Sequence, residues 1–198
     1  MDHQMNLLVS EEFGLYFVRI PLQVSSTIVC GNALQIDWKS VVPPWQVSYI
    51  MGNPPFSGAM VMSDQARLDL NHVFADLKGS GVLDYVACWY WLAAKFIYET
   101  TIEVGFVSTN SICQGEQVGL LWQSIIDRFK CRINFAHRTF KWSNEAKGKV
   151  AVHCVIIGFS TNDAPVKTIY DYDEVDGKPH AVRAKNINPF LKNRGSLK

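Results

Sequence analysis
The chain has 198 residues, 48% of them apolar and 19% charged, and a formal net charge of +1. That size and apolarity allow one globular unit with a sizeable core and exclude disorder as the default reading. Near-neutrality excludes a polyanion-binding role carried by bulk charge, so any nucleic-acid surface must come from local clusters of basic side chains.

The five cysteines, Cys30, Cys88, Cys113, Cys131 and Cys154, are odd in number, scattered, and never spaced as C-x-x-C. That pattern argues against a disulfide framework or a zinc site and for a reducing, cytoplasmic setting. His3, His72, His137, His153 and His180 show no H-E-x-x-H or other ligand spacing, so no metal is expected. Met1-Asp2-His3-Gln4 carries no basic region followed by an apolar run, so no secretory signal is read there. The most apolar stretch, Val82 to Phe96, contains Asp84 and is too short to span a bilayer, so no membrane partner is expected.

In chain order, Thr27 to Cys30 and Val47 to Met51 are short β-favouring runs that stop at Gly31-Asn32 and Gly52-Asn53. Ser63 to Leu77 reads as a helix with Ser63 as its cap, and Leu83 to Tyr98 as a second, largely buried helix. Glu103 to Thr109 is a further strand. Gln114 to Phe129 then places Val118, Leu121, Trp122, Ile125, Ile126 and Phe129 on one helical stripe. Arg132 to Trp142 and Lys149 to Phe159 form an expected antiparallel hairpin around Ser143 to Gly148. Alternation of strands and helices implies a mainly parallel α/β sheet, with ligands beyond the carboxyl ends of its strands. After Asp163 the chain reads as irregular. Residues 1–163 are expected to form the catalytic portion and 164–198 a basic extension leading toward a further region.

Asn53-Pro54-Pro55-Phe56 directly follows an apolar strand. An aromatic amine is a poor nucleophile because its lone pair is delocalised, so a site that alkylates it should accept hydrogen bonds from the NH2 group. The Asn53 side-chain oxygen and the Pro54 carbonyl supply two acceptors on a stiff bend, and Phe56 supplies a stacking face for a base taken out of its duplex.

This tetrad resembles the (D/N/S)-P-P-(Y/F) motif of amino-methylating DNA methyltransferases, enzymes with a Rossmann-like class I sheet that use S-adenosyl-L-methionine. The resemblance implies that Asn53, Pro54, Pro55 and Phe56 are catalytic and that the target is the N6 amine of adenine in double-stranded DNA. It also implies that Asp37, with Ala33, Leu34 and Asn53, contacts the cofactor. Val104 to Ile112 resembles the strand and loop that frame the base pocket. Phe135 to Trp142 resembles the region that sets an aromatic, Phe140 or Trp142, against the flipped base. Over nearly its whole length the chain is similar to the large enzymes that fuse restriction and modification.

Two departures from that family are expected to matter. No glycine-rich loop follows a first strand, and no acidic residue closes a second, so the sheet is expected to lack its first two strands. The family order 3-2-1-4-5-7-6 would then leave the Thr27 and Val47 runs with open edges, inviting self-association and weak cofactor binding by this chain alone. Arg138, Lys141, Lys147 and Lys149 belong to a basic cluster suited to phosphate contact. Cytosine N4, an RNA base or a glutamine amide remain alternative acceptors, and a DNA-binding remnant without catalysis is the alternative from another class.

Overall fold
The computed structural model describes residues 26–142, 152–175 and 177–193. Gly31–Lys198 form one compact unit, to which the following applies. Its elements are α1 (Trp38–Val41), β1 (Tyr49–Gly52), α2 (Asp64–Val73), α3 (Ala87–Ile97), β2 (Glu103–Thr109), α4 (Gly115–Phe129), β3 (Arg132–Trp142), β4 (Val152–Ser160), β5 (Lys167–Tyr172) and β6 (Pro179–Ala184).

The six described strands form one sheet in the order β1-β2-β4-β3-β5-β6. β1 and β2 are parallel, as are β3 and β5, whereas β2 with β4, β3 with β4, and β5 with β6 are antiparallel. The expectation of a mainly parallel sheet is therefore corrected at the level of neighbours. β4 returns between β2 and β3, so two antiparallel ladders replace the parallel one that would otherwise join them. β1, β2, β3 and β5 nevertheless all run the same way, and their carboxyl ends lie along one edge. The run β1-β2-β4-β3 reproduces the 4-5-7-6 portion of the order implied by the sequence resemblance.

Other expectations need correction. Thr27 to Cys30 forms no strand and is exposed, because a β-favouring run gains little without a partner to pair with. The stretch after Asp163 is not irregular: β5 and β6 extend the sheet. α2 stops at Val73, short of Leu77, and α3 begins at Ala87 instead of Leu83, because Ser80–Val82 forms a 3-10 turn and Leu83 is extended. Ser63 caps α2 as read, accepting from the Ala66 backbone amide at 3.2 Å. β3 matches its expected range, and the turn that would join it to β4 lies outside the described residues.

One face of the sheet carries α3 and α4. Their apolar stripes meet Val104, Phe106, Ile157 and Phe159, all of them buried. Tyr90 anchors this core, stacked on Phe159 with ring centroids 5.6 Å apart and edge-on to Trp122 at 5.5 Å. Its hydroxyl shares a hydrogen bond with Ser108 at 2.9 Å, so the buried phenol is satisfied.

On the opposite face Met51, Gly105, Gly158 and Phe135 lie in register across four strands. The Phe135 ring lies over Gly158, where an added Cβ would come within 1.9 Å of it. Gly158→Ala is therefore expected to destabilise the fold by about 1–3 kcal/mol in urea unfolding. The same substitution in a Phe135→Ala background should cost far less, since the clash has been removed.

Candidate functional site
The site starts where β1 ends. Gly52 pairs with Phe106, and an added Cβ there would lie 3.2 Å from the Phe106 ring, so the strand passes close to its neighbour before releasing Asn53. The expected stiff bend is not seen, since residues 53–58 form neither a turn nor a bend; Pro54 is buried, whereas Asn53 and Pro55 are exposed and Phe56 is 36% exposed. Asn53 is thus accessible to solvent at the carboxyl edge. That is the disposition required to meet a ligand from outside the sheet.

The loop beyond Phe56 is held from below by a buried carboxylate. Asp84 is 8% exposed, and its Oδ1 accepts from the Ala59 amide at 2.8 Å. Its Oδ2 accepts from the Ser111 hydroxyl and from Gln117 Nε2, the latter at 3.1 Å. One side chain therefore joins the loop after β1, the loop after β2 and the first turn of α4. The Tyr85 amide adds a 2.9 Å bond to the Ser57 carbonyl, and Arg67 donates to the Ala59 carbonyl. In the sequence Asp84 stands out only as a charge interrupting the apolar run Val82 to Phe96. That interruption was the available signal, because a carboxylate in a buried stretch needs donors.

A second buried carboxylate organises the segment before α1. Asp69 on α2 accepts from Asn32 Nδ2 at 2.9 Å, Gln35 Nε2 at 2.8 Å and the Tyr85 hydroxyl at 2.9 Å. Burial alone would raise its pKa, but these donors, with Gln65, outweigh it and hold the carboxyl below its ordinary range. Burial and the neighbouring Asp69 charge push the Tyr85 phenol up, so it remains a donor.

Of the residues read as cofactor contacts, Leu34 is buried and Ala33 and Asp37 are exposed. Asp37 caps α1, with Oδ1 accepting from the Lys39 amide at 3.1 Å. Among the described residues its Oδ2 carries no hydrogen bond. An exposed carboxylate with a free oxygen is a suitable acceptor for the exocyclic amine of a purine ring, so Asp37 fits the adenine end of S-adenosylmethionine.

At the end of β3, Phe140 lies in an aromatic layer, stacked on Tyr172 at 5.6 Å and 6.1 Å from Trp142. His137 stacks on Tyr170 at 4.2 Å, and its Nδ1 is 2.8 Å from the Tyr172 hydroxyl. Burial lowers the His137 pKa and favours the neutral ring. Trp142 is 46% exposed and is the more accessible of the two expected base contacts. β1 and β3 are three strand positions apart, about 14 Å, on the same carboxyl edge.

Arg138, read as a phosphate contact, is paired with Asp171 at 2.6 Å. Lys141 is exposed, and Lys147 and Lys149 lie outside the described residues. All five cysteines are free thiols, four of them buried; burial pushes Cys88 and Cys131 up to about 12. Among the described residues no cluster of metal-ligating side chains occurs, and no helix is long and apolar enough to cross a membrane.

The model of the MmeI DNA-methyltransferase domain family matches residues 1–171. DNA methyltransferase A of Bacillus subtilis (strain 168) is 36% identical over 193 residues, which take in 96% of this chain and 21% of that protein. The type IIL restriction-modification enzyme MmeI, solved in complex with DNA, is 50% identical with a TM-score of 0.85. The match covers 99% of this chain and 26% of that one. The chain thus spans about a fifth of the length of its curated relative.

Proposed function
The chain belongs to the MmeI DNA-methyltransferase domain family, and from that premise we propose that it carries the target-amine side of methyl transfer to adenine N6 in double-stranded DNA. The observation that carries this reading is the exposed Asn53 directly after the carboxyl end of β1, followed by the buried Pro54. S-adenosylmethionine, when bound, supplies the methyl group.

The residues of this chain do the positioning. Asn53 Oδ1 and the Pro54 carbonyl accept the two amine hydrogens and hold the nitrogen lone pair away from ring conjugation. Phe56 covers one face of the extruded base, and Trp142 closes on it from the end of β3. Asp37 and Ala33 receive the adenine end of the cofactor. Lys141, Lys147 and Lys149 contact backbone phosphates, with Arg138 joining them only by sharing or leaving Asp171. None of these roles requires a covalent bond between chain and base. Reaction at the carboxyl edge, with the wider protein supplying target recognition, fits the share of its relatives that the chain spans.

The test is methylation of duplex DNA by the full-length protein with methyl-labelled cofactor, followed by nucleoside digestion and mass spectrometry. N6-methyladenine is expected. N4-methylcytosine would overturn the choice of base, and label confined to RNA or protein would overturn the choice of substrate.

A further inference from the structure
The two buried carboxylates belong to one connected framework, and its midpoint is the dipeptide Asp84-Tyr85. Going one way, the Tyr85 hydroxyl donates to Asp69 Oδ2 at 2.9 Å, the same oxygen that receives Asn32 Nδ2 at 2.9 Å. Asn32 in turn fixes the segment that follows it. Its Oδ1 accepts from the Leu34 amide at 3.0 Å, and its carbonyl accepts from the Gln35 and Ile36 amides. Going the other way, the Tyr85 amide holds the Ser57 carbonyl at 2.9 Å and Asp84 holds the Ala59 amide at 2.8 Å. The Tyr85 ring is fixed edge-on against Trp89, with centroids 5.2 Å apart. The segment around Asn32 is thus joined to the loop after Phe56 through a short chain of hydrogen bonds, beside which Arg67 of α2 donates to the Ala59 carbonyl.

We propose that Tyr85 is a positioning residue that couples the cofactor segment to the target-base loop, so that filling one side favours the arrangement the other side requires. The proposal rests on the functional reading of those two segments given above. The coupling is reciprocal by thermodynamic necessity: DNA that engages the loop after Asn53 must tighten the cofactor site by the same factor that the cofactor tightens DNA. The Tyr85 hydroxyl is the weakest point at which to cut this path, since Phe keeps the ring against Trp89 and the backbone bond to Ser57 and removes only the bond to Asp69. Asp69 keeps its bonds from Asn32 and Gln35, so the cofactor segment remains anchored.

The experiment is calorimetric titration of the full-length protein with S-adenosylhomocysteine, alone and in the presence of a target duplex. In the unaltered protein the duplex is expected to tighten binding about fivefold or more. In Tyr85→Phe that factor should fall by half or more, the bond from Arg67 to Ala59 remaining, while affinity measured without DNA changes by less than about threefold. Asn32→Ala removes one of the two bonds from this segment to Asp69 and leaves that of Gln35, so it should lower the factor only in part, and adding it to Tyr85→Phe should lose no more than Tyr85→Phe alone. An unaltered protein with no coupling, or a Tyr85→Phe protein with full coupling, would overturn the proposal. Methylation by Asn53→Ala separates the two levels. If Asn53→Ala is inactive and Tyr85→Phe remains coupled, the link through Tyr85 alone is wrong; if Asn53→Ala is fully active, the reading beneath it is wrong.

Discussion

Asn53→Ala is expected to lower kcat for DNA methylation about a hundredfold or more while leaving KM for DNA within a few-fold of the original. The reason lies in when the interaction is strongest. The amine hydrogens grow more acidic as the nitrogen acquires its fourth bond, so an acceptor at Asn53 Oδ1 stabilises the transition state more than the ground state. On the proposed reading DNA affinity rests on phosphate contacts elsewhere, so it should barely change. Asn53 is exposed and has no side-chain hydrogen bond among the described residues, so its loss should leave stability within about 0.5 kcal/mol. An unchanged melting temperature with a collapsed kcat separates chemistry from folding. Asn53→Asp keeps an acceptor oxygen in place and should retain part of the activity that Ala loses.

Trp122→Ala should have the largest effect on stability, about 3–5 kcal/mol. Trp122 is 1% exposed, lies edge-on to Phe159 at 6.0 Å and to Tyr90 at 5.5 Å, and donates from Nε1 to the Ile112 carbonyl at 3.0 Å. Removing the indole leaves a cavity between α4 and the sheet and strands the carbonyl of the short turn after β2. For a fold held by about 5–15 kcal/mol, that loss places much of the population near unfolding at ambient temperature. Trp122→Phe keeps most of the packing and loses only the hydrogen bond, so it should cost less than half as much in equilibrium urea unfolding. Because Ile112 follows Ser111, which donates to Asp84, Trp122→Ala should also loosen the anchor beneath the loop after Phe56.

The sequence was most legible where periodicity was strong. Glu103 to Thr109 alternates exposed or half-buried with buried residues along its length, and the stripe on Gln114 to Phe129 became the buried side of α4. It was least legible where prolines flank a short strand. Lys167-Thr168-Ile169-Tyr170-Asp171-Tyr172 has a β-type alternation, yet Pro165 and Pro179 on either side made the region read as loop. β5 forms because β3 offers a parallel partner, which is a long-range fact that no local window contains. The two tyrosines it carries complete the aromatic layer around Phe140.

The site shows the same division. The Asn53 tetrad could be read as a motif after a strand, because its residue types stand next to one another; the chemistry assigned to it is the proposal made above. Asp69, Asp84 and Tyr85 could not be read in this way, since their roles depend on partners far along the chain: Ala59 lies 25 residues from Asp84, Asn32 lies 37 from Asp69, and Asp69 lies 16 from Tyr85. Asp37 illustrates the ambiguity of a single carboxylate: the local reading as a helix cap and the reading as a ligand contact use different oxygens of the same group.

A structure of the full-length protein with a target duplex and S-adenosylhomocysteine tests the central claim most directly, through the position of the target amine nitrogen. The account predicts that this nitrogen lies within about 3 Å of both Asn53 Oδ1 and the Pro54 carbonyl, with Phe56 stacked on the extruded base. A base captured elsewhere on the protein, with Asn53 facing only solvent, would contradict it.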